Sequence, residues 1–166
     1  MSSIRVNGGK KLSGEITPQG AKNEALQVIC ATLLTEDTVE ISNIPDIIDV
    51  NKLIEILKNI GVKVSKLDKG KLSFNSENIN LKYLADTSFK NLAKSLRGSI
   101  MLVGPLLSRF GSATIPRPGG DKIGRRRLDT HFINLEKLGA KLDYIPKDKT
   151  YSISSDGKLK SSNILL

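Results

Sequence analysis

Asn59-Ile60-Gly61-Val62-Lys63-Val64 and Lys137-Leu138-Gly139-Ala140-Lys141-Leu142 are two copies of one pattern, in which a helical stripe ends at a glycine and an alternating strand begins. Glycine ends a helix at this place because it enters positive φ without a Cβ clash. Upstream of Gly61, Leu53, Ile54, Leu57 and Ile60 recur at helical spacing; downstream, Val62 to Val64 and Leu72 to Phe74 read as strands joined across Asp68-Lys69-Gly70. Around Gly139 the same order returns as a helix over 128–138 and a hairpin of 141–144 with 151–153. Further upstream, Ala25, Leu26, Ile29, Cys30 and Leu33 predict a helix over 21–34, followed by a strand at Val39 to Ile41. Their counterparts are a helix over 92–107, with Pro105 near its end, and a strand at Ala113 to Ile115.

Two βαβαββ-like units, over about 22–80 and 90–155, imply an α/β architecture assembled from repeats. The copies are not equal in length. Gly61 and Gly139 lie 78 residues apart, but Val39 and Ala113 only 74, so the second copy carries four extra residues between its first strand and second helix. They fall within 116–127, where five cations accompany one acid, Asp121. A loop lengthened in one copy of a repeat is a place to look for function.

A net charge of +9 favours an anionic partner, whether nucleic acid, an acidic surface or a phosphorylated small molecule. Scattered lysines are ordinarily a solvated face; the focused charge is Arg125-Arg126-Arg127. Its loop holds no aromatic on which a base could stack, and Gly119, Gly120 and Gly124 permit close backbone approach, which favours phosphate binding over a nucleic-acid patch. A single cysteine, Cys30, excludes an intrachain disulfide and reads as an inert core residue. No signal-peptide pattern opens the chain, and its longest apolar run, Ile100 to Val103, is far too short to span a bilayer, so a cytoplasmic protein without a membrane partner is expected.

Among single residues, Lys22 follows Gly20-Ala21 at the start of the first helix, where free N–H groups favour an anion. Taken alone, a lysine in a first helical turn ordinarily carries no function. Arg97 stands beside Leu96, Ile100 and Met101 and either snorkels or faces a cleft. Asp46 and Asp49 read as caps of the second helix, and His131, beside Phe132, as partly buried.

Several stretches together resemble the bacterial UDP-N-acetylglucosamine enolpyruvyl transferases. They are Gly20-Ala21-Lys22-Asn23-Glu24-Ala25-Leu26, Asn43-Ile44-Pro45-Asp46-Ile47, Leu96-Arg97-Gly98-Ser99-Ile100, Gly104-Pro105-Leu106-Leu107-Ser108-Arg109-Phe110-Gly111, Pro118-Gly119-Gly120-Asp121-Lys122-Ile123-Gly124 and Leu128-Asp129-Thr130-His131. As a set, in this order, they are specific; singly none is. The resemblance implies an inside-out α/β barrel of two domains, incomplete in this chain. It also implies transfer of the enolpyruvyl group of phosphoenolpyruvate to the 3′-hydroxyl of UDP-N-acetylglucosamine, the first committed step of peptidoglycan synthesis. No metal and no cofactor are implied, and the partners are those two small molecules rather than nucleic acid.

Carried over by position, Lys22, Asn23, Arg97 and Arg126 surround phosphoenolpyruvate, with Lys22 and Asp121 catalytic. Asn23 and Arg97 also face UDP-N-acetylglucosamine, together with Arg126, Arg127, Leu128, Asp129 and Thr130. Three positions depart from the family pattern: Arg127 replaces a usual proline, Thr130 a usual leucine, and Asp121 the cysteine that fosfomycin alkylates. An aspartate can still exchange a proton with the enolpyruvyl methylene carbon, although its free pKa of about 3.9 is low for that work. Family chains are longer, so residues 1–21 are expected to pack with a second domain, residues 22–166 to form most of the first, and the 166-residue chain by itself to be inactive. The rival readings are a 5-enolpyruvylshikimate 3-phosphate synthase-like transferase, a basic nucleic-acid-binding module, and a truncated homologue that only binds.

Overall fold

The computed structural model describes residues 3–120, 124 and 127–164. Asp121 and Arg126 therefore lie outside the described residues. The first unit contains α1 (Lys22–Ala31), a 3₁₀ turn (Thr32–Leu34), β1 (Thr38–Ile41), α2 (Ile48–Asn59), β2 (Lys63–Asp68) and β3 (Lys71–Asn75). After a 3₁₀ turn at Leu81–Ala85, the second contains α3 (Thr87–Lys94), a 3₁₀ helix (Arg97–Leu102), α4 (Val103–Phe110), β4 (Ser112–Pro116), α5 (Asp129–Lys137), β5 (Ala140–Ile145) and β6 (Thr150–Ser155). Among the described residues no strand precedes α1, so each unit shows helix, strand, helix and two strands.

The repeat extends to register and to single hydrogen bonds. The sheets have orders β1-β3-β2 and β4-β6-β5, with every pairing antiparallel. In the first, Phe74 on the central strand is flanked by Val39 and Val64; in the second, Ile153 is flanked by Ala113 and Leu142. Both central side chains are buried, as the period of two requires for a sheet with one face on a core. The Ile44 N–H donates to the Gly70 carbonyl and the Arg117 N–H to the Lys149 carbonyl, both at 2.8 Å. Gly61 and Gly139 both take positive φ at the predicted helix ends.

The helix predicted over 92–107 is instead three pieces. Leu96 is extended at φ −129°, ψ 114°, and two serine hydroxyls add bonds to carbonyls of the last turn before the break. The Ser95 hydroxyl donates to the Leu92 carbonyl at 2.8 Å and the buried Ser99 hydroxyl to that of Ala93 at 2.9 Å. Serine competes with helical bonding in this way, so the polar residues inside an apolar run were the signal. The first piece also starts earlier than expected, because Asp86 caps it by accepting from the Ser88 N–H at 2.7 Å.

One core serves both units. α1 packs against α2 and the 3₁₀ helix of the second unit, and α2 against α3. Arg109 on α4 ties the units together from the edge of this core. One of its terminal nitrogens donates to the carbonyls of Leu33, Thr35 and Ser76 at 3.0, 3.3 and 2.8 Å, and the other pairs with Glu36 at 3.1 Å. By contrast, Ile4, Val6, Leu12 and Ile16 are each at least 84% exposed on the irregular segment before α1.

Arg109→Ala is expected to destabilise the chain by about 3 kcal/mol in urea unfolding, since bonds to a charged donor are lost and buried carbonyls are stranded. Arg109→Lys should recover less than about half of that, because an ammonium lacks the planar fork.

Candidate active site

Gly20 fixes the approach of the chain to α1. A Cβ there would lie 1.9 Å from the Asn43 carbonyl oxygen, so only glycine lets the strand-exit loop press on this backbone. α1 then begins with Ala21 as its N-cap and no side-chain cap, which leaves its first N–H groups to other acceptors. Lys22, in that first turn, reaches across to the first turn of α2, where its Nζ pairs with Asp49 Oδ2 at 3.0 Å.

The expectation that Asp46 and Asp49 cap α2 is therefore corrected. The N-cap is Ile47, without a side-chain bond. Asp46 accepts from Asn51 Nδ2 at 2.8 Å, and Asp49 lies two residues past the N-cap and serves Lys22 instead. Near a helix N-terminus its carboxylate also sits favourably in the dipole.

Lys22, Asn23, Gln27, Asp49, Arg97 and Gly98 line an open cavity of about 260 Å³ between α1 and the 3₁₀ helix. Gly98 passes beneath Leu26, whose Cδ1 would be 2.8 Å from an added Cβ. Arg97 is half-buried, and one terminal nitrogen donates to the Arg127 carbonyl at 3.3 Å. Of the two readings of Arg97, the cleft is the one observed.

The lengthened loop is seated against this arginine. At Gly119 a Cβ would lie 2.0 Å from the Lys94 carbonyl oxygen, and at Gly120, with φ +94°, it would lie 3.3 Å from Arg97 Cβ. Gly120 thus enters on one side of Arg97, and the Arg127 carbonyl meets it on the other. Both described ends of the loop converge on a single cation.

Beyond the loop, Arg127 Nε donates to Asp129 Oδ2 at 2.6 Å, with a second contact from its terminal nitrogen. This hydrogen bond, and then the charge of Arg127, hold the Asp129 carboxyl below its usual range and raise the guanidinium correspondingly. Leu128 buries its side chain in the core. Thr130 and His131 line a second cavity, of about 420 Å³, between α5 and α4; Ile100 and Met101 line both cavities, which therefore adjoin. His131 is exposed, contrary to expectation, because Phe132 is the residue that turns inward and packs on Tyr151 with ring centroids 4.5 Å apart.

Cys30 is buried, and desolvation pushes its thiol well above the usual range, so it is no nucleophile. Among the described residues no group of three His, Cys, Asp or Glu is placed to hold a metal ion, and no helix is long and apolar enough to cross a membrane. Sequence reasoning assigned no function to Asp49 or Gln27. The signal for Asp49 was its place in the first turn of a helix next to one that starts with a lysine.

A protein-family model described as EPSP synthase (3-phosphoshikimate 1-carboxyvinyltransferase) matches residues 6–165. The chain belongs to that family. Within the EPSP synthase family, its similar curated relatives carry a different substrate in their names. The UDP-N-acetylglucosamine 1-carboxyvinyltransferase of Bacteroides fragilis is 53% identical over all 166 residues, and that of Porphyromonas gingivalis 51%. The chain spans 38% of the length of each. Solved structures with this fold include the enolpyruvyl transferase NikO from Streptomyces tendae, with TM-score 0.69 and 22% identity over 92% of this chain and 32% of that one. EPSP synthase from Acinetobacter baumannii superposes with TM-score 0.63 and 18% identity over 91% of this chain and 34% of its own. The enolpyruvyl transferase fold expected from the resemblance, with the repeated units read from the sequence, is thus the fold found, in incomplete form.

Two outcomes follow from the loop and its exit. Gly119→Ala should displace the loop from Arg97, which would be seen as faster amide exchange at Gly120 and as a shifted Arg97 Nε–H resonance. Arg127→Ala should raise the Asp129 titration midpoint towards the ordinary carboxylate value in an NMR titration. Because the folded value is depressed, the pair's contribution to stability is present above the unfolded pKa of about 3.9 and is lost as pH falls through the folded value.

Proposed function

We propose that the enzyme to which this chain contributes transfers the enolpyruvyl group of phosphoenolpyruvate to the 3′-hydroxyl of UDP-N-acetylglucosamine and releases phosphate. The observation that carries this reading is the meeting of Lys22, Asn23 and Arg97 in one cavity, in a chain 51–53% identical throughout to relatives named for that reaction. The names of the relatives favour this substrate over 3-phosphoshikimate, since the likeness to EPSP synthase structures is one of fold.

In this reading Lys22 and Arg97, with Arg126, hold the phosphate and carboxylate of phosphoenolpyruvate, and Asn23 extends the polar network beside Lys22. The segment from Arg126 to Thr130 holds the nucleotide end. The sugar hydroxyl gives its proton to a base outside residues 1–166 as its oxygen adds to C2, while the protonated Asp121 carboxyl gives a proton to C3. The C3 proton then leaves, the C2–O bond to phosphate breaks, and the enol ether and inorganic phosphate form. Fixed cations suit both steps, because the charge on the phosphate oxygens grows as it departs. To donate that proton Asp121 must be protonated, a form that a bound anion and the exclusion of water both favour. Asp121 therefore acts in the closed complex, and fosfomycin finds no thiolate to alkylate.

The reading also covers residues 1–21, whose exposed Ile4, Val6, Leu12 and Ile16 suit packing against a second domain. The 166-residue chain by itself is then expected to lack turnover. In this reading the enzyme works in the cytoplasm.

The test joins residues 1–166 to the remaining part of the Bacteroides fragilis relative and assays phosphate release. Turnover with UDP-N-acetylglucosamine, none with shikimate 3-phosphate, and none by residues 1–166 alone are expected. Asp121→Ala should lower kcat by about 100-fold or more, the scale of a lost general acid. Saturation with shikimate 3-phosphate would overturn the substrate, and a fosfomycin adduct on Asp121 would overturn the insensitivity.

A further inference from the structure

The ion pair between Lys22 and Asp49 joins the first turns of two neighbouring helices, and the proposed reaction uses only the lysine. We propose that Asp49 is a positioning residue that aims the Lys22 ammonium into the cavity it shares with Arg97. This inference rests on the reading in which Lys22 meets phosphoenolpyruvate.

Three observations carry it. Lysine has a long flexible stem and a strongly hydrated head, so an unrestrained Lys22, whose side chain is 47% exposed, would spread over many rotamers. Asp49 can restrain it because Asp49 is itself fixed: it lies in the first turn of α2, between the half-buried Ile47 and the fully buried Val50 and Leu53. Finally, Asp49 lines the same cavity as Lys22 and Arg97, so its negative charge offsets part of the positive charge that the two cations bring to it.

A pair with both partners partly exposed contributes little to stability, so support of the fold does not account for it. Its position predicts a split that a structural residue would not produce. Without the carboxylate the cavity is more positive, so an anion binds at least as tightly. The ammonium is no longer aimed, so the chemical step slows.

The experiment has two arms. Inorganic phosphate is titrated into residues 1–166 by NMR, where Asp49→Asn is expected to bind about twofold more tightly or better, from removal of one nearby negative charge. In the joined enzyme of the preceding section, Asp49→Asn should lower kcat by about 10- to 100-fold, the scale of a displaced catalytic group, with KM for phosphoenolpyruvate unchanged or lower. Asp49→Glu should restore kcat to within about fivefold of the parent, and the melting temperature of Asp49→Asn should stay within about 3 °C. A kcat for Asp49→Asn within about twofold of the parent, or a kcat loss with weaker phosphate binding and a lowered melting temperature, would overturn the inference. If the parent joined enzyme shows no turnover, the functional reading fails. The phosphate arm then decides alone, and unchanged affinity in Asp49→Asn overturns the role of Asp49.

Discussion

The guanidinium of Arg109 leaves α4, in the second repeat, and closes on carbonyls of Leu33, Thr35 and Ser76 in the first. These oxygens lie where α1 runs out through its 3₁₀ turn and where β3 leaves its sheet, places at which regular structure supplies no further donor. A rigid planar donor can serve several of them at once, whereas water could do so only by entering the core. The two units share one apolar interior, and Arg109 closes one of its edges.

That shared interior explains why the site lies where it does. Lys22 and Asn23 come from the first repeat; Arg97, Gly119 and Gly120 come from the second. Neither copy holds the site alone. The units are alike in register, with Phe74 and Ile153 in equivalent places, and they differ in the loop that the second copy lengthens and in the three helical pieces that precede its first strand. A repeat supplies the frame, and the break in its symmetry lies against the candidate site.

Much of this was legible in the sequence, for identifiable reasons. The strands and the glycine-ended helices followed from period and φ, which are local properties: Gly61 and Gly139 have the conformation their positions demanded. Cys30 was placed in the core by its apolar stripe alone. What escaped were features set by particular side-chain partners rather than by period. The break at Leu96 depends on serines bonding back to Leu92 and Ala93, Asp49 is claimed by a lysine 27 residues away, and His131 stays outside because Phe132 takes the inward place. Helical periodicity cannot separate one helix from three pieces that continue the same apolar face. The roles of Asp121 and Arg126 rest on the sequence reading alone.

The seat of the long loop has a further consequence. Gly119 rests on the carbonyl of Lys94 and Gly120 on the backbone and Cβ of Arg97, so no side chain of the loop takes part in those two contacts. A side chain that does not hold the loop down is free to be exchanged without loosening it. The next residue is the one at which this chain carries aspartate and the family it resembles carries cysteine. The seat of the loop is thus encoded in two glycines, through backbone that asks nothing of side-chain chemistry.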